Sequence, residues 1–261
     1  MTEIISIRKA DVFLDGKLVL AGINWRVRRG EHWFILGPNG SGKTTLTRLL
    51  LGYVWPRFGA AVKVLGHTYG QCDLFAVRKN IAWVSPFLQG WTGARWPVLE
   101  VVVSGLFGTV GLYERYSLAQ KEKALRLLAK LNCLPLATRP FSHISSGEQM
   151  KVLIARALIT NPRLLILDEA CVHLDIKSRE FFLTTLAALA AGYQAPSIIF
   201  VTQRIEDLIP AFQHGLLLKK GRIIARGPQA DVLTEENLTS AFEFPLKLFP
   251  AEHGRFLAFP A

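Results

Sequence analysis

The first thirty residues alternate short apolar runs with polar turns, a pattern that predicts antiparallel β-strands. The runs cover 4–7, 17–20 and 23–27, with turns at Asp15-Gly16 and Arg29-Gly30. One more strand of this kind is predicted at 60–66. We therefore expect the chain to begin with a small antiparallel sheet.

Three uninterrupted apolar runs, at 33–36, 164–167 and 197–201, predict buried strands of a parallel sheet. Helical patterns lie between them, including 119–131 and 147–159. Strands that alternate with helices indicate an α/β fold. Because the chain between residues 87 and 160 is mostly helical, we expect a helical lobe inserted into an α/β core.

These patterns predict one domain, 1–261, with three parts. The β and α/β core takes 1–86 and 161–243, the helical lobe takes 87–160, and an apolar, proline-containing tail takes 244–261 and packs on the core. Half of the residues are hydrophobic, which excludes a disordered chain and allows a sizeable core.

Residues 181–203 carry no charge and are long enough to cross a bilayer. However, Gly192, Gln194 and Pro196 interrupt them, which favours a helix that ends near Ala191 and a buried strand after it. The first residues lack the apolar segment of a signal peptide. Any membrane contact is therefore expected to be peripheral or through a partner.

The net charge and the cysteine content exclude few classes of binding partner. The net charge of +11 suits nucleic acid, anionic lipid or nucleotide as a partner, but the basic residues are scattered, so a solvated basic surface explains them equally well. Cys72, Cys133 and Cys171 lie far apart and show no metal-binding spacing. Reduced thiols in a cytosolic protein are the simplest expectation.

A glycine-rich loop that fits the phosphate-binding pattern G-x-x-x-x-G-K-T follows the first buried strand. Its residues are Gly37, Pro38, Asn39, Gly40, Ser41, Gly42, Lys43, Thr44 and Thr45. Glycines let successive backbone N–H groups converge on phosphate oxygens, and the start of the helix that follows adds positive potential. Lys43 is predicted to reach the β- and γ-phosphates of a nucleotide, and the Thr44 hydroxyl to hold Mg²⁺.

An acidic pair, Asp168-Glu169, ends the buried run 164–167. Many strands end in a solvated acid, so the pair gains meaning only beside a phosphate loop. There, Asp168 is predicted to hold Mg²⁺, through water, and Glu169 to orient or deprotonate an attacking water.

A Ser-Ser-Gly-Glu sequence, Ser145 to Glu148, precedes the helical pattern of 147–159. Ser145 or Ser146 can serve as the N-cap, with Glu148 in the first turn. The start of a helix after a Ser-Gly turn is also a possible second anion site. The residues alone leave both interpretations open.

Together these motifs resemble the ATP-binding subunit of ABC transporters, over residues 4 to 235. The resemblance rests on the phosphate loop, the 144–149 turn, the 164–169 strand and the following Leu174-Asp175. Residues 30–40 and 101–107 resemble more narrowly the ModF/YlmA-like group of these subunits. The implied fold is a P-loop NTPase with a RecA-like parallel core, an N-terminal antiparallel β subdomain and an inserted helical subdomain.

The resemblance also implies a mechanism and partners. Two such domains, in a homodimer or a pair with a related ATPase subunit, would face head to tail and sandwich ATP and Mg²⁺. Each site would join the phosphate loop of one subunit to residues 144–149 of the other, here called the signature turn. Asp175 would close the motif that begins at Asp168. The implied activity is ATP hydrolysis that powers an integral membrane permease from the cytoplasmic face of the cell membrane.

Several positions depart from the family's pattern. The signature turn has Ile144, Ser146 and Glu148 in place of the usual Leu, Gly and Gln, while Ser145 and Gly147 match, and Ala170-Cys171 replaces the usual Pro-Thr. Gln203 stands where the family has a histidine. A Gln amide can donate a hydrogen bond to the γ-phosphate but cannot shuttle a proton, so we expect slow but measurable ATPase activity.

Two further roles are carried over from the family. The glutamine that senses Mg²⁺ would fall at Pro86 in strict register, so Gln89 is the nearest candidate. The aromatic residue that stacks on adenine would be Phe13, although strict counting favours Leu14.

Two alternatives stay open, both for a soluble ATPase of the same fold that is not coupled to transport. One works on nucleic acid, which the basic charge allows, but the long coiled coil or second ATP domain of such proteins is missing, so nucleic acid is an unlikely partner. The other is a regulatory module with weak hydrolysis, which Gln203 suggests. The transported substrate and its direction cannot be read from the sequence.

Overall fold

The computed structural model describes residues 2–86, 88, 95–108 and 112–261, and confirms the predicted alternation of strands and helices. The strands are β1 (Glu3–Leu14), β2 (Lys17–Arg28), β3 (Trp33–Leu36), β4 (Ala61–Val64), β5 (His67–Thr68), β6 (Ile81–Val84), β7 (Leu164–Asp168), β8 (Ser197–Thr202), β9 (His214–Lys219), β10 (Arg222–Pro228), β11 (Leu246–Ala251) and β12 (Arg255–Pro260).

The α-helices of the same residues alternate with these strands. They are α1 (Lys43–Leu50), α2 (Leu74–Arg78), α3 (Val98–Ser104), α4 (Leu118–Lys130), α5 (Ser146–Leu158), α6 (Ile176–Ala190), α7 (Gln229–Val232) and α8 (Glu235–Phe242). No helix within these residues is long and apolar enough to cross a bilayer, and the uncharged stretch 181–203 divides between α6 and β8, as predicted.

The N-terminal strands form an antiparallel sheet in the order β2-β1-β4-β5. The sequence predicted two strands at 17–20 and 23–27, but the structure has one continuous strand, β2. Gly22, with a φ of 62°, and the Asp11 side chain, which accepts a hydrogen bond from the Gly22 N–H at 2.6 Å, accommodate a shift of register within the β1–β2 pair. The apparent break in the apolar pattern is thus a β-bulge.

The central sheet has the order β10-β9-β3-β8-β7-β6, with parallel pairing from β9 to β6 and an antiparallel β10 at one edge. Successive residues of its inner strands point to opposite faces of the sheet. On β3, Phe34 and Leu36 pack in a core with the helical lobe, whereas Trp33 and Ile35 pack in a second core with α1 and the antiparallel sheet. Both faces of the central sheet are therefore covered.

The tail packs on the core, as predicted, and does so as a hairpin that the sequence did not reveal. β11 and β12 pair along their whole length, from Leu246 opposite Pro260 to Ala251 opposite Arg255. One face of the hairpin, which includes Leu248 and Phe256, packs against the larger core. Prolines at the ends of edge strands are compatible with pairing, which is why they do not break the hairpin.

Candidate active site

The register of the central sheet brings the sequence-predicted site segments to one edge. Leu36 at the end of β3 lies opposite Thr202 at the end of β8, and Asp168 at the end of β7 lies opposite Val201. The loops that leave these three strands therefore start side by side. They carry the phosphate loop, Glu169 and Gln203. In open α/β sheets, ligands bind outside this carboxyl edge.

The phosphate loop is shaped by close packing at its first residue. A Cβ atom on Gly37 would lie 2.3 Å from the carbonyl oxygen of Leu218 and 2.8 Å from Ser41 Oγ, so only glycine fits. Gly42, with a φ of 103°, precedes α1 and gives that helix no side-chain cap. The first-turn N–H groups of α1 are thus left without the side-chain partner that a Ser or Asp cap would supply, as an anion site requires.

Lys43 folds back over its own loop. Its Nζ donates to the carbonyl oxygens of Gly37 at 2.9 Å and Pro38 at 3.0 Å, and lies 3.7 Å from Glu169 Oε1. Burial lowers the pKa of this amine, while the charges of Glu169 and Asp168 oppose the shift. An incoming phosphate would supply stronger negative partners for a cation that backbone carbonyls now hold.

Asp168 has the properties of a metal ligand. It is buried, and its Oδ1 atom has no hydrogen-bond partner among the described residues. Burial, and secondarily the charge of Glu169, raises its pKa to about 6. A buried carboxylate oxygen without a donor is costly unless a cation binds it.

Thr44 is exposed beside the buried Lys43, so its hydroxyl could supply a second oxygen to Mg²⁺. No group of three His, Cys, Asp or Glu side chains suited to a metal occurs in the part of the chain that the structure describes. A Mg²⁺ ion at this edge would therefore depend on one carboxylate, one hydroxyl, phosphate oxygens and water, which is the donor set that Mg²⁺ prefers.

Glu169 has a backbone conformation that is rare for its residue type. Its φ is 55°, in the left-handed region, and its N–H donates to the carbonyl oxygen of Val201 at 2.9 Å. This bend ends β7 and turns the chain at the carboxyl edge, where the side chain, 31% exposed, approaches Lys43. Strain of this kind at a cleft edge is typical of functional positions.

The signature turn has a well-defined local structure. Ser145 is the N-cap of α5, and it forms a capping box in which Glu148 accepts from the Ser145 N–H at 2.8 Å. This hydrogen bond is the main reason why the pKa of Glu148 is lowered. The open choice between Ser145 and Ser146 is therefore resolved for Ser145.

The signature turn packs against the start of α6. A Cβ on Gly147 would lie 2.4 Å from Ser178 Oγ, and Ser146 Oγ donates to the carbonyl oxygen of His173 at 3.4 Å. Asp175 is the N-cap of α6 and accepts from the Ser178 N–H at 2.8 Å, which lowers its pKa. The signature turn and the cap of α6 that contains Asp175 therefore pack against each other.

Of the two further predicted nucleotide contacts, Phe13 and Gln89, the structure describes only Phe13. Phe13 is 45% exposed and pairs with Leu18 across the β1–β2 hairpin. That hairpin reaches the phosphate loop, since Leu20 Cδ2 lies 2.8 Å from where a Cβ of Gly42 would be. Leu14, the alternative to Phe13, is half-buried. Gln89 lies outside the described residues.

A parallel sheet with a glycine-rich loop, a buried lysine and an acidic pair at one edge defines a P-loop nucleotide-binding protein. The model of the ABC transporter family matches residues 20–172, and the chain belongs to that family. It is therefore an ABC-type ATP-binding protein, and the family implies ATP hydrolysis in general.

Relatives cover nearly the whole chain. The ABC transporter ATP-binding protein YlmA of Bacillus subtilis is 38% identical over 93% of this chain and 92% of its own length. ModF of Escherichia coli is 31% identical over 78% of this chain and 42% of its own length. Both confirm the predicted group.

Solved structures agree on the fold. A putative metal-chelate type ABC transporter in an inward-facing conformation has a chain with a TM-score of 0.79 and 25% identity, and the match covers 99% of this chain and 98% of that chain. The predicted fold class, with its antiparallel β part and inserted helical part, is confirmed.

The sequence did not reveal how the Gln203 loop is held. Asp207, which is buried, accepts from Arg179 Nε on α6 at 2.5 Å and from Thr202 Oγ1 at 3.1 Å. Burial raises the pKa of Asp207, although Arg179 opposes this shift. A charged pair 28 residues apart follows no periodic pattern, so sequence reasoning had no signal for it.

Proposed function

We propose that this protein is the ATP-binding and ATP-hydrolysing subunit of an ABC-type membrane transporter. The observation that carries the proposal is the convergence of Lys43, Asp168 and Glu169 at the carboxyl edge of the central sheet, with Lys43 Nζ 3.7 Å from Glu169 Oε1. One cation, one metal-type carboxylate and one carboxylate suited to a base meet beside an uncapped helix start. This arrangement supports binding and cleavage of a nucleoside triphosphate.

Each residue has a distinct part in the proposed reaction. The loop N–H groups and Lys43 bind the β- and γ-phosphates, and Thr44 and Asp168 hold Mg²⁺, which neutralises phosphate charge when it is bound. Glu169 orients the attacking water and accepts its proton. Gln203 donates a hydrogen bond to the γ-phosphate but leaves the proton to Glu169, so turnover is slow.

A second copy completes the proposed site. Ser145 and Asp175 are exposed, and the signature turn packs against the start of α6, where Ser146 Oγ donates to the His173 carbonyl oxygen. Head-to-tail pairing of two copies, or of this chain with a related subunit, would bring the signature turn to the partner's phosphate loop. ATP would favour the closed pair because it binds that state better than ADP does.

This chain has an exposed aromatic surface that is suited to contact a membrane partner. It is made of Tyr53, Trp55, Phe75 and Arg78. Tyr53 and Trp55 are more than half exposed, Phe75 is 72% exposed, and Arg78 stacks 4.6 Å from the Tyr53 ring. Grouped exposed aromatic side chains are typical of protein interfaces. We place the protein on the cytoplasmic face of the membrane, bound to an integral permease.

Three proteins test the proposal, the wild type and the variants Lys43→Ala and Glu169→Gln. We expect wild-type turnover to be slow but clearly above that of Glu169→Gln, which still binds ATP, and Lys43→Ala to lose ATP binding. Wild-type turnover equal to that of Glu169→Gln would instead favour a regulatory module that closes on ATP without hydrolysis. Co-purification with a multi-span membrane protein from detergent-solubilised membranes tests the transport role.

A further inference from the structure

The C-terminal hairpin of β11 and β12 contacts the loop that carries Gln203. Arg255, at the start of β12, donates from Nε to the carbonyl oxygen of Glu206 at 3.2 Å, and its Nη2 donates to the same oxygen. At the hairpin turn, a Cβ on Gly254 would lie 2.9 Å from Pro210 Cγ. The hairpin therefore covers the outer side of residues 205–210.

Helix α6 holds the same loop through two consecutive residues. Arg179 pairs with Asp207 on the buried side, whereas Glu180 pairs with Arg255 Nη1 at 2.6 Å on the outer side. Asp207 in turn accepts from Thr202 Oγ1. The loop is thus fixed from both sides by charge-assisted hydrogen bonds, which are the stronger kind.

Gln203 lies between two anchored residues. Thr202 Oγ1, which donates to Asp207, accepts from the Arg204 N–H at 3.0 Å. The backbone on either side of Gln203 is therefore tied to Asp207 and, through the turn 205–207, to Arg255. Because a neutral amide forms only short-range, directional hydrogen bonds, its contribution depends on accurate placement.

We propose that Arg255 is a positioning residue for ATP hydrolysis, and that the C-terminal hairpin acts through it to hold Gln203 at the carboxyl edge of the sheet. This inference rests on the proposed function. Arg255 touches no reacting atom in this account; it fixes the Glu206 carbonyl, and with it the turn that follows Gln203. Glu180 serves the same end by holding the Arg255 guanidinium.

The test is a double-mutant cycle of Arg255→Ala and Gln203→Ala on the full-length protein. We expect Arg255→Ala to lower kcat about fivefold or more with little change in the KM for ATP. In the Gln203→Ala background the same change should alter kcat less than twofold, because the residue that is positioned has gone. A purely structural role for Arg255 would give the same loss in both backgrounds.

Two further variants distinguish the positioning effect of Arg255 from a loss of folding in Arg255→Ala. Glu180→Gln leaves the hairpin intact and removes only the partner charge, so it should lower kcat in the same direction as Arg255→Ala. Lys247→Ala removes an exposed cation from the same hairpin and should leave kcat unchanged. An unchanged kcat in both Arg255→Ala and Glu180→Gln, or equal losses in the two backgrounds, overturns the proposal.

Backbone hydrogen exchange separates this proposal from the proposed hydrolysis. Amides of residues 204–208 should exchange faster in Arg255→Ala than in the wild type or Lys247→Ala. If the wild type turns over no faster than Lys43→Ala, the hydrolysis is wrong and exchange alone decides. Unchanged exchange then rejects the hairpin's hold on the Gln203 loop, whereas faster exchange supports that hold but no role in hydrolysis.

Discussion

At the scale of single residues, we expect Gln203 to limit the turnover of the proposed site. Replacement with histidine restores a group that can both donate to phosphate and move a proton. We expect Gln203→His to raise kcat about tenfold, at the low end of what acid–base groups contribute. Steady-state ATPase assays check this, with Gln203→Ala as the control that should lower kcat. A Gln203→His variant no faster than the wild type would show that Glu169 needs no such help.

Asp168 costs stability when it is ionised, because its carboxylate is buried. Its pKa is raised from 3.8 to about 6, so the folded protein binds more protons than the unfolded chain between these values. The contribution of Asp168 to stability is therefore most favourable below pH 4 and falls as the pH rises to 6. Asp168→Asn removes this loss and should stabilise the nucleotide-free protein at pH 8 by up to about 3 kcal/mol.

Urea unfolding without nucleotide or Mg²⁺, at pH 8 and pH 4, measures this effect. The gain from Asp168→Asn should be present at pH 8 and vanish at pH 4, where the aspartate of the folded wild type is already protonated. The same variant should lose Mg²⁺-dependent ATP binding. An equal or lower stability of Asp168→Asn at pH 8 would contradict the buried, unpartnered state of this carboxylate.

The candidate site segments could be predicted from the sequence because their motifs are local. The phosphate loop and the Asp168-Glu169 pair are contiguous, so spacing alone predicts what they can bind. The left-handed backbone of Glu169 and the Arg179–Asp207 pair could not be predicted, since they depend on how distant segments pack.

At the scale of elements, α4 and α5 begin with the same device. Ser117 and Gln120 form a capping box at α4, and Ser145 and Glu148 form one at α5. Loss of an N-cap hydroxyl costs about 1 kcal/mol in either helix. Only the α5 cap lies in the signature turn. A comparison of the two caps therefore distinguishes helix capping from a role in the ATP site.

The variants Ser117→Ala and Ser145→Ala should therefore lower the free energy of unfolding by similar amounts. Only Ser145→Ala should also reduce ATP-driven dimerisation and kcat, because its hydroxyl lies in the turn that is proposed to meet the partner's phosphate loop. Thermal unfolding and ATPase assays on both proteins check this. If the two variants keep the same activity, the Ser145 hydroxyl has no role beyond the cap.

Element types were predictable where the apolar pattern was long or uninterrupted, as for β3, β7, β8, α4 and α5. The continuous β2 was not, because Gly22 and its bulge imitate a turn in the sequence. The β11–β12 hairpin was missed as well, since its two faces differ little in hydrophobicity.

At the scale of the whole molecule, the chain carries half of the proposed active site, which a second copy would complete. The phosphate loop of one copy and the signature turn of the other should meet around ATP, and the pair should come apart with ADP. Dimerisation is then linked to nucleotide, and the dimer fraction depends on protein concentration.

Sedimentation velocity of Glu169→Gln tests this claim most directly, because the variant should bind Mg²⁺ and ATP without consuming the nucleotide. We predict a dimer with saturating ATP, a monomer with saturating ADP, and a monomer with ATP when Ser145→Trp is added, which places a bulky side chain at an exposed position of the signature turn. A protein that binds ATP and stays monomeric at every concentration, or one whose dimer is the same with ADP, would contradict the account.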